Sequence, residues 1–542
     1  MRRHQGSRAV NGTAALTVAT LVFMGAGAPS AAGQTAVTTY HNENKRTGWN
    51  RSETVLTPAN VGSSSFGLLL GVALDDQVDA QPLVVPGVQI TAGTYQGTHD
   101  VVYVATERDT VYAIDVHSGT VLLSPNFGTP VSNPLGCTNN GPNVGITSTP
   151  VIDLTSGTLY VMIYTQDTSG PAYRLHALDL GSLTDKVKPQ LVTASHTLTD
   201  GTTFSFNATY QRQRPALLLS NGSIYAGFGS FCDLSANLSR GWLLGWTAGS
   251  LAPFPSNQLI DQQASSPDTF FLSSIWMAGY GPATDDAGRI LFVTGNSDHS
   301  GTTYDGVTNI QESVVKVSSS LTAVLDLFTP SNQAQLDEDD LDFGSGGVLV
   351  LPDQPGPTPH LAVAAGKVGT MYLMNQDDLG GYSPENNVLG SYSIGGCWCG
   401  PSYFVDADGV ARVVSSGGTQ VMVWKVLTSP SVALQQVAES GGIGGGIQDP
   451  GFFTSISSNG RTNPIIWALS RPQNAGTAPL LLVAFNPDSG GTLKPLFHGT
   501  AGTWPNLGGD SNLVPVVANG LVFVASYKQL RIFGLTGAST TN

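Results

Sequence analysis

Residues 100–123 read DVVYVATERDTVYAIDVHSGTVLL, and the fold can be predicted from this stretch. Short apolar or alternating runs, separated by turn residues such as the Asp-x-x-Ser-Gly of 115–119, predict β-strands joined by tight turns. Together with DAQPLVV at 79–85, the stretch predicts a unit of four short strands. Gly and Pro supply 65 and 32 residues, which is typical of a chain with many short elements and many turns.

The same unit recurs along the whole chain. Further copies occupy 148–180, 214–246, 281–318, 346–376, 400–437, 453–487 and 513–535. The last copy has only three strands, whereas FGLLLGVAL (66–74) is an unpaired strand ahead of the first copy. No low-complexity linker separates the copies, which argues against a series of separate β-sandwiches. We therefore predict an all-β fold, a single eight-bladed β-propeller over 66–538 whose N-terminal strand closes the last blade.

Composition excludes several classes of protein. The 542 residues carry only 11% charged side chains and a formal net charge of −15. Low charge argues against intrinsic disorder. An acidic surface repels phosphate backbones, so we expect no nucleic-acid partner. The same surface is compatible with neutral substrates and bound cations.

The N-terminus has the pattern of a secretory signal peptide. Basic residues at 2, 3 and 8 precede an apolar stretch at 14–28 and small residues up to Ala32. We predict a signal peptide at 1–32, an N-terminal segment at 33–65 that leads into the propeller, and a secreted product. No later apolar run is long enough to span a bilayer, so we expect no membrane span in the mature chain.

Export makes disulfides possible for the four cysteines, Cys137, Cys232, Cys397 and Cys399. Four cysteines allow three pairings, and the sequence does not choose among them. A Cys397–Cys399 bond would close over one residue, which is a constrained geometry. We expect these two to be free thiols or paired with distant cysteines, and the alternative is a redox or metal element at the start of blade six.

The unit VYVATERDTVYAIDVHSGTVL (102–122) resembles the repeat of the pyrroloquinoline quinone (PQQ) propeller family, with Tyr112-Ala113-Ile114-Asp115 and Gly119 at the matching positions. The segment at 38–61 is similar to the start of mature quinoprotein alcohol dehydrogenases. The resemblance covers nearly the whole mature chain. It implies PQQ on the propeller axis, a divalent ion that is usually calcium, and a carboxylate base that takes the proton of the substrate hydroxyl.

Four positions match site motifs of that family in the right order. The resemblance implies that Asn296, at the end of ILFVTGN, is a metal ligand and that Trp276 stacks on the quinone. It also implies that Asp342, in LDFG, is the catalytic base and a metal ligand, and that Lys367, in AAGKVG, contacts the quinone oxygens. The competing interpretations are an ordinary Gly-Asn turn, a core tryptophan, a solvated acidic run and a surface lysine.

The chain also departs from the family. The metal-binding glutamate of the third blade has no clear match, and Asp233 is the nearest carboxylate, with a shorter side chain. The adjacent cysteine pair is reduced to Cys137. Position 344 is glycine, so the additional aspartate of lanthanide-type enzymes is absent there.

The first hypothesis is a secreted PQQ- and calcium-dependent dehydrogenase for an alcohol or a sugar. Without a Cys-x-x-Cys-His motif for haem, it would need an external electron acceptor. The alternative is a cofactor-free propeller that binds a protein or a glycan, and a third interpretation is a polysaccharide lyase or hydrolase. Convergence of Trp276, Asn296, Asp342 and Lys367 on one axial site would favour the first.

Overall fold

Within the described residues, eight mainly antiparallel sheets are arranged in a ring, which confirms the predicted all-β, eight-bladed propeller. A computed structural model of the chain describes residues 34–137, 141–233, 238–264, 270–298, 300–443, 450–470, 478–487, 490–505 and 512–537. The predicted signal peptide lies outside these residues. In the described part of the chain, neither of the two short helices approaches the length of apolar helix that a bilayer requires.

The first half of the ring follows the repeat units. Ahead of it lie β1 (Trp49–Asn50), α1 (Pro58–Val61) and β2 (Phe66–Ala73). Blade one is β3 (Leu83–Ile90), β4 (Gly97–Ala105), β5 (Val111–Asp115) and β6 (Val121–Leu123). The pair β7 (Val131–Ser132) and β8 (Asn143–Val144) follows. Blade two is β9 (Val151–Asp153), β10 (Thr158–Asp167), β11 (Gly170–Asp179) and β12 (Gln190–Leu191), and the hairpin of β13 (Ser195–Thr197) and β14 (Thr203–Ser205) comes next.

Blades three and four carry small additional strands. Blade three contains β15 (Gln211–Arg212), β16 (Leu218–Ser220), β17 (Ser223–Ser230), then, after β18 (Ser239–Arg240), β19 (Trp242–Thr247) and β20 (Gln258–Leu259). Strand β18 pairs in parallel with β21 (Phe271–Leu272). Blade four is β22 (Ala283–Thr284), β23 (Ile290–Val293), β24 (Val314–Val317) and β25 (Val324–Thr329), and α2 (Gln333–Glu338) follows.

The second half of the ring repeats the pattern. Blade five is β26 (Val348–Val350), β27 (Leu361–Ala365), β28 (Thr370–Asn375) and, after β29 (Gly381–Tyr382), β30 (Gly390–Ser393). Blade six is β31 (Ser402–Val405), β32 (Ala411–Ser415), β33 (Met422–Leu427) and β34 (Ala433–Ser440). Blade seven is β35 (Phe453–Asn459), β36 (Thr462–Leu469), β37 (Ala478–Phe485) and, after β38 (Thr492–Leu493), β39 (Pro495–Trp504). Blade eight is β40 (Val516–Ala518), β41 (Leu521–Ser526) and β42 (Gln529–Leu535).

The N-terminal strand β2 closes the ring as predicted. It pairs antiparallel with β42, from Phe66 opposite Leu535 to Ala73 opposite Gln529. This pairing gives blade eight its fourth strand and covers an open sheet edge. Phe66 also packs on Trp467 of blade seven, with ring centroids 5.6 Å apart, so the closing strand contributes to the core between two blades.

A 14-residue stretch, Val37–Asn50, which we call the axial segment, contacts all eight blades. It forms hydrogen bonds of 2.7–3.0 Å with the first strand, or the residue just beside it, of every blade. The partners are Val84, Ile152, Leu219, Thr284, Val350, Tyr403, Ile456 and Val517. A segment this short reaches eight sheets only if it lies at the centre of the ring. The first strands therefore face the axis, and the segment occupies it.

Arg46 is the buried anchor of the axial segment. Its guanidinium is fully buried and donates to the carbonyl oxygens of Tyr40, Leu217 and Pro282 and to Thr39 Oγ1, at 2.8–3.2 Å. Burial lowers the pKa of Arg46 to about 10, so it stays charged at neutral pH. The planar donor fork joins blades three and four to the segment.

We expect Arg46→Met to lower the free energy of unfolding by about 3 kcal/mol, because several buried acceptors lose their charged donor at once. Arg46→Lys should restore only part of this loss, since an ammonium does not reproduce the fork. Thermal unfolding of the variants measures the effect, and Arg51→Met, at an exposed position next to the segment, is the control. Equal unfolding temperatures for the Arg46 and Arg51 variants would contradict this role.

Candidate functional site

The five residues singled out from the sequence lie at one end of the ring. Asp233, Asn296 and Lys367 follow β17, β23 and β27, which are the second strands of blades three, four and five when β16 is taken as the first strand of blade three. Trp276 and Asp342 precede the first strands of blades four and five. In an antiparallel blade the end of the second strand adjoins the start of the first strand. The topology therefore brings all five to the same face, next to the axis.

Three carboxylates form the centre of the site. Asp233, Asp340 and Asp342 each offer an oxygen within 4.8 Å of the others. Asp342 is buried, Asp233 is half-buried and Asp340 is exposed. Burial, with the charges of Asp342 and Asp340, raises the pKa of Asp233 to about 8. Like charges at this separation are stable only if protons or a cation balance them.

Asn296 completes the set of oxygen donors. Its backbone N–H donates to Asp342 Oδ1 at 3.0 Å, and its Nδ2 donates to Asp340 Oδ1 at 3.2 Å. Its Oδ1 atom is buried and has no hydrogen-bond partner among the residues that the structure describes. Carboxylate and amide oxygens are the ligands that Ca²⁺ prefers. The unpartnered amide oxygen beside three carboxylates therefore fits a hard divalent cation.

Lys367 balances part of this negative charge. Its Nζ lies 2.6 Å from Asp342 Oδ2 and 2.7 Å from Asp340 Oδ1. Burial alone would lower the pKa of Lys367, but the ion pairs with Asp342 and Asp340 outweigh it and raise the pKa above its ordinary value. The side chain is 11% exposed, so Lys367 lies within the acidic cluster and is not a surface lysine.

Trp276 packs against the same cluster. A Cβ at Gly295 would lie 2.6 Å from Cζ3 of the Trp276 ring and 3.3 Å from Asp342 Oδ1. Only glycine fits between this ring and the carboxylate. The indole Nε1 donates to the Ser230 carbonyl at 3.2 Å, which fixes the ring. Trp276 is buried, with 7% of its surface exposed.

Sequence reasoning missed two carboxylates of the site. Asp340 stands in the run 337–340, which looks like a solvated acidic stretch, yet it turns towards Asn296 and Lys367. Glu312, just before β24, is fully buried, and its Oε2 accepts from the Phe343 N–H at 2.6 Å. Burial and the charge of Asp342 raise the pKa of Glu312 well above its usual value. No sequence signal marks Glu312.

A second set of buried charged side chains lies in blades one to three, at the end of the ring that carries the acidic cluster. The carboxyl groups of Glu107 and Asp79 are hydrogen-bonded, and the Gly145 N–H donates to Glu107 Oε2 at 2.7 Å. Burial, and then the charge of Asp79, raise the pKa of Glu107 well above its usual value. Arg212 and Arg214 are also buried. The Arg214 guanidinium lies 5.6 Å from the ring centroid of Trp398, and Lys367 Nζ lies 4.8 Å from the same centroid, so Trp398 connects this group to the acidic cluster.

The cysteines form two disulfides, Cys137–Cys232 and Cys397–Cys399. The expectation that Cys397 and Cys399 are free thiols or pair with distant cysteines was wrong. The turn at Trp398 brings their Cα atoms to 4.9 Å, which is within bonding range. Both disulfides adjoin the site: Cys232 directly precedes Asp233, and Cys397 is hydrogen-bonded to Gly366, next to Lys367.

Comparisons with solved structures show the fold. The chain is similar to the quinohemoprotein alcohol dehydrogenase of Comamonas testosteroni, with TM-score 0.61 and 13% identity over 94% of this chain and 82% of that one. It is similar to the quinohemoprotein alcohol dehydrogenase ADHIIG of Pseudomonas putida HK5, with TM-score 0.60 and 13% identity over 94% and 81%.

A europium-containing methanol dehydrogenase matches with TM-score 0.57 and 10% identity over 92% of this chain and 98% of that one. No protein-family model and no curated protein matches the sequence. At 10–13% identity these likenesses establish the architecture alone. The chain therefore has the propeller fold found in quinoprotein dehydrogenases.

We expect Asp340→Asn to weaken Ca²⁺ binding on the order of tenfold, because one of three carboxylate donors is lost. Asp339→Asn makes the same charge change at an exposed neighbouring position and should have little effect. Calorimetric titration of the purified protein measures both affinities. Equal weakening by the two variants would show that only general charge matters and that Asp340 is not a ligand.

The raised pKa of Asp233 predicts a pH-dependent stability in cation-free protein. A carboxyl with a folded-state pKa of about 8 binds a proton that the unfolded chain has already released, so stability falls as pH rises from about 4 to 8. Asp233→Asn removes this dependence. The variant should gain stability relative to the wild type across that pH range and level off above it, as measured by thermal unfolding. A constant difference at every pH would contradict the shifted pKa.

Proposed function

We propose that the protein is a secreted quinoprotein dehydrogenase that uses PQQ and a divalent cation, with Ca²⁺ as the expected ion, to oxidise an alcohol or sugar hydroxyl. The observation that carries the proposal is the group formed by Asp342, Lys367 and the unpartnered oxygen of Asn296. This group would bring a general base, an ammonium group and metal ligands to one point. The secreted location rests on the predicted signal peptide.

The oxygen donors of the site fit the divalent cation that we propose. Asp233, Asp340 and Asp342 would hold the ion together with Asn296 Oδ1. Three carboxylates and one ammonium, that of Lys367, leave a formal charge of −2 when all are ionised, which a divalent ion neutralises. Oxygen donors alone favour Ca²⁺ or a similar hard ion over transition metals. The ion would act as a Lewis acid on an oxygen of the cofactor.

The residues that would contact the quinone suit PQQ in charge and less completely in shape. Lys367 would face the oxygens that gain negative charge, and Arg212 and Arg214 would face carboxylates of the cofactor. The ring of Trp276 is 7% exposed, so a flat molecule could stack on it only after the covering residues move aside. PQQ, when bound, supplies the hydride acceptor.

Asp342 is the group of this chain that would take the proton from the substrate hydroxyl. Its Oδ1 is held by the Asn296 N–H and its Oδ2 by Lys367, so the carboxylate is fixed in orientation. Burial raises the pKa of Asp342 although Lys367 opposes this. A base with a raised pKa binds the proton of an alcohol more readily than an ordinary aspartate would. Gly344, Gly346 and Gly366 pack tightly against backbone atoms here, which keeps the turn around Asp342 rigid.

Reconstitution with PQQ and Ca²⁺ tests the proposal. We expect tight, stoichiometric binding by calorimetry and dye-linked oxidation of alcohols or sugars. Asp342→Asn, which keeps one oxygen ligand and loses the base, should weaken Ca²⁺ binding on the order of tenfold, as Asp340→Asn does, while oxidation at saturating Ca²⁺ and PQQ falls by about 10²-fold or more. Asp339→Asn should leave both unchanged.

Failure of PQQ to bind, while Ca²⁺ still binds, would contradict the enzyme proposal. The protein would then be a cofactor-free propeller whose axial face binds a protein or a glycan. Binding of PQQ without any oxidation in the presence of varied alcohols and sugars would contradict the proposed reaction while leaving the cofactor site standing.

A further inference from the structure

The Cys397-Trp398-Cys399 turn lies against the site, and no step proposed above uses it. We infer that the Cys397–Cys399 disulfide fixes the position of Trp398, and that Trp398 in turn holds the ammonium of Lys367 between Asp340 and Asp342. Trp398 is thus a positioning residue, and the disulfide is the clamp that places it. The catalytic meaning of this arrangement rests on the proposed function, whereas its geometry and its test do not.

The first support is the contact between the ring and the ammonium. Lys367 Nζ lies 4.8 Å from the centroid of the Trp398 ring, within the range of a cation–π interaction. The same Nζ lies 2.6 Å from Asp342 and 2.7 Å from Asp340. Lysine has a long and flexible side chain that loses much rotamer freedom when it is fixed. The ring and the two carboxylates all contact the ammonium and together restrict it.

The second support is the backbone of Cys397, which is hydrogen-bonded to the residue before Lys367 and is linked through Ser345 to Asp342. The Cys397 N–H donates to the Gly366 carbonyl at 3.1 Å, one residue before Lys367. Ser345 Oγ contacts the carbonyl oxygens of Cys397 at 3.0 Å and of Asp342 at 2.9 Å. The Lys367 N–H donates to the same Asp342 carbonyl at 2.9 Å. A displacement of Cys397 would therefore move the frame that carries Lys367 and Asp342.

The third support is the way the disulfide limits Trp398. Both cysteines are buried, at 0% and 1% exposure, and the bond closes a loop around the single residue between them. Cross-linking so short a loop removes most of the backbone freedom of Trp398. The Trp398 N–H donates to the Pro450 carbonyl at 2.9 Å, and the Gly347 N–H donates to the Cys399 carbonyl at 3.2 Å. These contacts set the direction in which the ring leaves the loop.

The reactivity of Lys367 tests the inference in cation-free protein without any cofactor. Cys397→Ser/Cys399→Ser keeps Trp398 but removes the clamp. Brief acylation followed by peptide mass spectrometry measures the modification rate of each lysine. We expect the rate at Lys367 to rise about fivefold, as the loss of one partly desolvated cation–π contact implies.

Lys316 is the internal control, because it is even more buried than Lys367 and distant from it in sequence. Its side chain is 4% exposed and bonds to the Gln376 carbonyl and to Asp326. We expect its rate to be unchanged. A parallel rise at Lys316 would show that the disulfide only supports the whole fold, and no rise at Lys367 would show that it does not position this residue. Either outcome overturns the inference.

Variants of Trp398 separate the ring from the disulfide. Trp398→Ala should raise the Lys367 rate at least as much as the cysteine double variant, and Trp398→Phe should restore much of the protection. Removing the disulfide in the Trp398→Ala background should add nothing, because both changes act through one contact. Additive effects would overturn the inference. Failure of PQQ reconstitution would leave all of these rates as predicted, so the two proposals fail separately.

Discussion

The hydrogen bonds between the axial segment and the eight blades are the constraint on which the rest of the structure depends. A propeller ring leaves the backbone groups of its first strands directed at the axis, and buried polar groups must be paired. Val37–Asn50 supplies one partner to each blade, with Arg46 as its buried anchor. The axial segment therefore fixes the positions of the eight blades around the axis. The loops that carry the site are fixed with them.

The axial segment is also linked directly to the walls of the site. The Tyr280 hydroxyl lies 2.8 Å from the carbonyl oxygens of both Arg46 and Pro401. Tyr280 follows Trp276 by four residues, and Pro401 follows Trp398 by three. One buried tyrosine therefore ties the segment to the two loops whose tryptophans flank the acidic cluster. In this arrangement the carboxylates and Lys367 are held by backbone that the axial segment fixes.

The fold could be read from the sequence because each blade repeats one strand pattern, and the unpaired strand at 66–74 implied ring closure. The resemblance to quinoprotein dehydrogenases singled out Asn296, Asp342 and Lys367, and whether they converge was left open. The structure brings them together because strand ends at the same face of a propeller meet near the axis. Asp340 could not be recognised, because in sequence an inward-turned carboxylate looks like any member of a solvated run. The Cys397–Cys399 pairing depends on the distance between two Cα atoms, which composition and spacing do not determine.

We propose that the axial site holds a divalent cation beside a planar quinone. A crystal structure of the protein grown with Ca²⁺ and PQQ tests it most directly. We expect an ion about 2.3–2.6 Å from oxygens of Asp233, Asp340, Asp342 and Asn296, with flat density against Trp276 and Lys367. An empty cluster with Lys367 still paired to both aspartates, or an ion bound elsewhere, would contradict it.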